Sequence, residues 1–257
     1  MGGEASLPTA EGGRERESGV DAGLDGPDTA CAAPAATTLL GVAAPLSTYW
    51  QLTPETNGLA GGIASPSMVA FDDFDASFTY SITYSNGTNP GAGLAFFVIA
   101  APVKNLSCQP SQNLCTLGGS FPDPASGGFA VVLRTSKLVA GDPEAPYVAV
   151  VDSQAFPSTQ PSSTVTLESS KAYSLVGVTG GGVVPPPNTF HTMAISVRAG
   201  KISVAIDGNT LLNGTPIPNW APGRVSTWGI GSATGLGSTF AERTVVGQMS
   251  VNRCPPP

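Results

Sequence analysis

Two runs of residues constrain the fold more than anything else in the chain. Phe74-Asp75-Ala76-Ser77-Phe78-Thr79-Tyr80-Ser81-Ile82-Thr83 alternates apolar and polar side chains, the period-two pattern of a strand with one face in a core and the other in water. Gly93-Leu94-Ala95-Phe96-Phe97-Val98 is apolar without interruption, as a strand covered on both faces is. Between them Ser85-Asn86-Gly87-Thr88-Asn89-Pro90-Gly91-Ala92 carries the Asn, Gly and Pro of a loop.

The rest of the chain is also strand-and-turn material. Only 11% of residues are charged, Gly and Pro number 32 and 24, and the apolar runs are short, so long amphipathic helices find no support. Strand patterns recur between Gly, Pro, Asn and Asp clusters. Lys201 to Ile206, Asp207-Gly208 and Asn209 to Leu212 read as a hairpin, because both central residues of its turn must take a left-handed backbone. The 257 residues suffice for one large antiparallel β-sandwich over 31–257. Within it 32–36 reads as a linker, Trp50 to Ser67 as turn-rich connections, and Trp228 as core. Residues 1–30 are polar, small and acidic, and read as a disordered tether. That tether has no apolar h-region, so the expectation is an export signal lying upstream, with the tether holding the domain off a cell surface. A net charge of −7 without a basic stripe excludes a nucleic-acid surface, and no run of 18 apolar residues suggests a transmembrane segment.

Four cysteines in such a chain suggest an oxidising, extracellular compartment. Cys108 and Cys115 flank a six-residue loop, while Cys31 and Cys254 bracket the domain, so the expected disulfides are Cys31–Cys254 and Cys108–Cys115, one of three connectivities. Zinc is disfavoured, since Cys-x6-Cys lacks metal spacing and the single His191 lies elsewhere.

The strand, loop and Gly-Leu-Ala-Phe-Phe strand resemble the legume-type lectins, whose segment ends Ala-Asp-Gly-Leu-Ala-Phe-Phe. Further resemblances follow in the same order from Trp50 to Val251. Ser126-Gly127-Gly128-Phe129-Ala130-Val131-Val132-Leu133 is similar to the family's Gly-Gly-aromatic-Leu-Gly-Leu-Phe, and Tyr147-Val148-Ala149-Val150-Val151-Asp152-Ser153 to its Val-Ala-Val-Glu-Phe-Asp-Thr. His191 to Val197 and Lys201 to Ile206 match a later strand pair. Trp228-Gly229-Ile230-Gly231-Ser232-Ala233-Thr234-Gly235-Leu236 resembles Val-Gly-Phe-Ser-Ala-Thr-Thr-Gly. The resemblance implies a concanavalin A-like jelly roll that binds carbohydrate.

It also implies a degenerate site. The family Asp that accepts sugar hydroxyls is Ala92 here, and a methyl group accepts nothing; Asn89 would have to substitute. Asp152 matches the family's first calcium-loop Asp, but its expected partners are Val150, Phe156 and Gln160, and one carboxylate does not hold a dication. No metal or cofactor is therefore expected, and Asp152 reads as a strand-end cap. Gly128, whose counterpart turns an amide toward sugar, and Gly235, Leu236, Gly237 and Ser238 of the last binding loop need only backbone and short side chains. Trp220, in Pro218-Asn219-Trp220-Ala221-Pro222, offers either a ring for stacking or an anchor for its own loop.

Enzymes fit less well. No Glu-x-Asp-x-x-Glu run supplies the paired carboxylates of a retaining glycosidase, Asp73 and Asp75 read as a solvated sheet edge, Gly-x-Ser-x-Gly is absent, and His191 reads as structural. Asn86, Asn105 and Asn213 head N-glycosylation patterns. The expected protein is a non-catalytic, calcium-independent domain at the cell surface or outside the cell, with a glycan or surface polysaccharide as partner and an oligomer compatible with its flat sheets. The alternatives are a sandwich kept for protein contacts after losing sugar binding and, behind it, a glycan-processing enzyme.

Overall fold

The structure is a computed structural model that describes residues 31–83, 91–106, 128–136, 146–152, 166–169, 190–217, 220–234 and 242–253. Strands are numbered in chain order. One sheet runs β1 (Thr38–Gly41), β4 (Ala60–Ala64), β14 (Arg224–Ala233), β7 (Gly93–Ile99), β8 (Gly128–Arg134), β9 (Tyr147–Asp152) and β10 (Thr166–Ser169), with β5 (Val69–Phe71) also paired to β14. The other runs β13 (Asn209–Pro216), β12 (Lys201–Ile206), β11 (His191–Arg198), β6 (Phe74–Thr83), β15 (Arg243–Asn252), β3 (Tyr49–Thr53) and β2 (Ala44–Leu46). Every pairing is antiparallel. The described residues form no α-helix, only the short 3-10 turn Val103–Asn105.

The alternation in β6 sends Phe74, Ala76, Phe78, Tyr80 and Ile82 between the sheets, where they meet Phe96, Phe129, Val131, Met193, Ile195 and Trp228. Phe78 and Phe96 stack across the layers with ring centroids 6.3 Å apart. Burying each such ring contributes roughly 1.5–3 kcal/mol, so this layer supplies much of the driving force for folding. The uninterrupted run in β7 is buried on both faces: Leu94, Phe96 and Val98 join the inter-sheet core, while Ala95, Phe97 and Ile99 join a second cluster with Leu40, Ala60, Leu106, Ala130, Val132 and Tyr147.

The Asp-Gly turn is where the sequence puts it: Asp207 and Gly208 have φ of 50° and 77°, joining β12 to β13. Ala199 and Gly200 make the equivalent turn between β11 and β12, and Asp73 Oδ1 accepts the Ala199 amide at 2.7 Å.

One reading from sequence is extended and one corrected. Besides its turn-rich connection, Trp50 to Ser67 holds β4 and most of β3; β4 runs against β3, where a Cβ on Gly61 would lie 2.0 Å from the Leu52 carbonyl oxygen. Residues 32–36 are not a free linker. Ala32 bridges Asn252, the Ala33 amide donates to Val251 O at 2.9 Å, and Ala36 is buried. Cys31 is disulfide-bonded, and its partner lies outside the described residues. Residues 1–30 and the pair Cys108 and Cys115 lie outside them as well.

Candidate functional site

Antiparallel register decides which segments share an end of the sandwich. Gly93 pairs with Ala233 and Leu94 with Leu133, so the start of β7 meets the ends of β14 and β8. Thr83 pairs with Arg243, adding the end of β6 and the start of β15 to the same edge. Segments 84–90, 137–145 and 235–241 have their feet here, and Leu59 of the β3–β4 connection is bonded to Thr234 through the Thr234 amide at 2.9 Å.

A buried carboxylate organises this edge. Glu242 is fully buried. Its Oε2 accepts the Gly91 amide and its Oε1 the Gly93 amide, each at 2.8 Å. Thr135 Oγ1 lies 2.7 Å from Glu242 Oε2 and 2.9 Å from the Gly91 carbonyl oxygen, which Ser136 Oγ also reaches. Thr53 Oγ1 donates to the Glu242 carbonyl oxygen at 3.2 Å, and Ser232 Oγ bonds Gly93 O at 2.9 Å beside Thr244 Oγ1. Burial pushes the Glu242 carboxyl up to about 7, against the lowering effect of the Thr135, Gly93 and Gly91 hydrogen bonds.

Both glycines are needed. Gly93 has φ of +93° and no room for a Cβ, which would sit 1.9 Å from Leu133 O; a Cβ on Gly91 would press into Glu242. Between them Ala92 is wholly buried in the second apolar cluster, its amide bonded to Ala233 O at 2.9 Å. The position that resembles the family's sugar-binding Asp thus faces apolar neighbours.

Among the described residues, those singled out from the sequence lie at two ends of the sandwich. Gly128 pairs with Ile99 and Asp152 with Phe129, which puts both at the opposite end of β7 from Gly93, about 20 Å away along the strand. The strand end beside Gly93 carries Arg134, Thr135 and Ser136 instead, so a buried cation stands at this edge. Trp220 joins Gly128 at the far end. Its ring packs on Phe129 and Phe74 with centroids 5.6 and 6.4 Å apart, the anchoring role, while its buried Nε1 has no hydrogen-bond partner among the described residues. Val98, Gly128, Trp220 and Arg224 enclose a cavity of about 10 Å³, room for one water. Asn89, Gly235, Leu236, Gly237, Ser238 and Phe156 lie outside the described residues.

The other singled-out polar residues are engaged structurally. His191 Nδ1 is 2.6 Å from Asp207 Oδ2, and Asp207 Oδ1 accepts the Thr192 amide at 2.8 Å. Burial works to raise the Asp207 carboxyl, but these bonds and the imidazole charge outweigh it and hold it below the usual range. Asp75 is clamped by both contacts of Arg198 Nη2 at 2.9 Å. Sequence reasoning missed Glu242, which sits beside Arg243 at the head of a strand and reads there as a solvated charge. The signal that could have found it is a lone Glu flanked by a Gly-rich segment and an apolar strand, a weak one.

No family model matches the sequence, and no curated protein does. Solved structures match the fold. The lumenal domain of VIP36 in its calcium- and mannose-bound form superposes with a TM-score of 0.58 at 13% identity over 86% of this chain and 84% of its own. The metal-free lectin I-B4 of Griffonia simplicifolia gives 0.59 at 16% over 84% and 92%. The metal-free carbohydrate recognition domain of Emp46p gives 0.53 at 12% over 85% and 88%. The chain has an L-type lectin-like fold.

Proposed function

We propose that the chain is an exported, non-catalytic carbohydrate-binding domain whose ligand meets the sandwich edge where β7 begins. The observation that carries the reading is the Glu242 network, which fixes Gly91 and Gly93 against Thr135 while the Ala92 amide is held on Ala233, at the feet of three segments in an L-type lectin-like fold. The contacting groups are proposed as Asn89 and Gly235 to Ser238, all on segments rooted at this edge. Gly128 and Trp220, at the other end, belong to a second, smaller candidate niche. Calcium independence is part of the proposal: Glu242 spends its oxygens on amides and a hydroxyl, and buried Arg134 repels a dication. The solved lectins that share the fold include one bound to mannose and one to methyl-α-D-galactose, which supports a glycan as partner.

Export is supported by the oxidised Cys31. The Arg253 amide donates to Cys31 O at 2.7 Å, and Cys254 is the next residue in the chain, so Cys254 is the proposed partner. No helix among the described residues is long and apolar enough to cross a membrane.

A glycan array probed with calcium and again with chelator tests the function. Binding in both conditions is expected. No binding in either removes the lectin reading in favour of a sandwich kept for protein contacts, and binding only with calcium overturns the calcium-independent part.

A further inference from the structure

The hydrogen-bond count around Glu242 specifies a protonation state. Thr135 Oγ1 has one proton and two acceptors within reach, Glu242 Oε2 at 2.7 Å and the Gly91 carbonyl oxygen at 2.9 Å. If the carboxylate is ionised, it offers no proton, and Thr135 must leave one of those two contacts without a hydrogen. If Oε2 carries a proton, that proton goes to Thr135 Oγ1 and the Thr135 proton goes to Gly91 O. The Gly91 and Gly93 amides keep their acceptors on Oε2 and Oε1, so every short contact then holds one hydrogen. Complete burial favours the same neutral form, because an ion there would lose its hydration.

We propose that Glu242 is a proton-bearing latch: its neutral carboxyl ties Gly91 and Gly93 to the ends of β8 and β15, and loss of the proton loosens this edge of the sandwich. The raised value of about 7 agrees with the geometry. Among the described residues, the ionisable groups on the surrounding elements are Arg134 at the end of β8, Tyr147 opposite it at the start of β9, exposed Glu55 between β3 and β4, and exposed Arg243, whose Nε donates to Gln51 Oε1 at 3.1 Å. β7 and the end of β14 bring only Gly91, Ala92, Gly93, Ser232, Ala233 and Thr234 to the edge, none of them ionisable. Of the two arginines among them, Arg134 is the buried one and the one placed to favour ionisation; burial of Glu242 itself is the largest effect on its carboxyl.

The test is an NMR titration of the whole chain with 13C-labelled glutamate side chains, the Glu242 resonance being assigned by its absence in Glu242→Gln. The proposal expects a carboxyl midpoint about two units or more above the ordinary value for Glu, and amide-exchange protection factors at Gly91 and Gly93 that fall at least tenfold between pH 5 and pH 8.5. In Glu242→Gln those protection factors should be lower than in the parent at pH 5 and should not change with pH. A midpoint in the ordinary carboxylate range, or protection at Gly91 and Gly93 that is flat across it, overturns the proposal. If Glu242→Gln does not fold, Thr135→Val supplies the assignment instead through the displaced midpoint, and the parent titration decides.

Discussion

Stability should fall as the pH rises through neutrality, and Glu242 sets the size of the fall. The carboxyl is near 4.5 in the unfolded chain and about 7 in the folded one. Below the lower value both states hold the proton and the contribution of Glu242 is fully present. Between the two values the folded state holds a proton that the unfolded state has released, so each unit of pH removes up to about 1.4 kcal/mol. The window spans 2.5 units, from 4.5 to 7, which gives a loss of about 3 kcal/mol. Asp207 acts in the opposite direction, since its lowered carboxyl loses stability only in acid, below the Glu242 window. The assay is urea unfolding at constant salt from about pH 4.5 to about pH 8.5, followed by tryptophan fluorescence, with slopes compared to confirm a common denatured state. The net charge of −7 adds a general repulsion that affects parent and variant alike, so the decisive quantity is the difference from Glu242→Gln. That variant leaves one buried amide without an acceptor and should start about 1–3 kcal/mol less stable at low pH. The gap should close as the pH rises. Parallel profiles for parent and variant would refute the reasoning.

Three other perturbations separate the parts of the structure. Ala92→Asp places an unpaired carboxylate in a wholly apolar cluster and should destabilise the fold by about 3–5 kcal/mol without creating a sugar or calcium site, read by thermal melting with and without calcium. Trp220→Ala removes a ring packed on Phe74 and Phe129 and should cost about 3 kcal/mol while leaving glycan binding at the Gly91 edge intact; loss of binding with unchanged stability would move the site to the Gly128 end. Reduction of the Cys31 disulfide should lower stability by up to about 5 kcal/mol if it closes on Cys254, and peptide mapping of the oxidised chain identifies the partner.

The architecture was legible because periodicity is a property of one strand at a time. The alternation in β6 and the unbroken apolar run in β7 each follow from which faces are covered, and the covered faces are those found. The Asp207-Gly208 turn was legible for the same reason, its backbone demand being local. β4 was not, because Gly61 and Gly62 look like punctuation until the β3 backbone is seen lying against Gly61.

The site was less legible because it depends on pairing order, which no single strand encodes. The resemblance aligns Ala92, Gly128, Asp152 and the segment after Thr234 with one family site, but alignment along the chain does not say which of them meet. In the sheet β8 runs antiparallel beside β7 and β9 beside β8, so the beginning of β8 and the end of β9 lie with the end of β7. Only the loop after Thr234 shares an edge with Ala92. The residues that complete that edge, Arg134, Thr135 and Ser136, close a strand whose opening had drawn attention, and Glu242 opens a strand that had drawn none. A buried arginine and a buried carboxyl therefore stand at the Ala92 edge, at the opposite end of β7 from Asp152. With Glu242 acting as the proposed proton-bearing latch, pH is the condition to which this end of the sandwich answers.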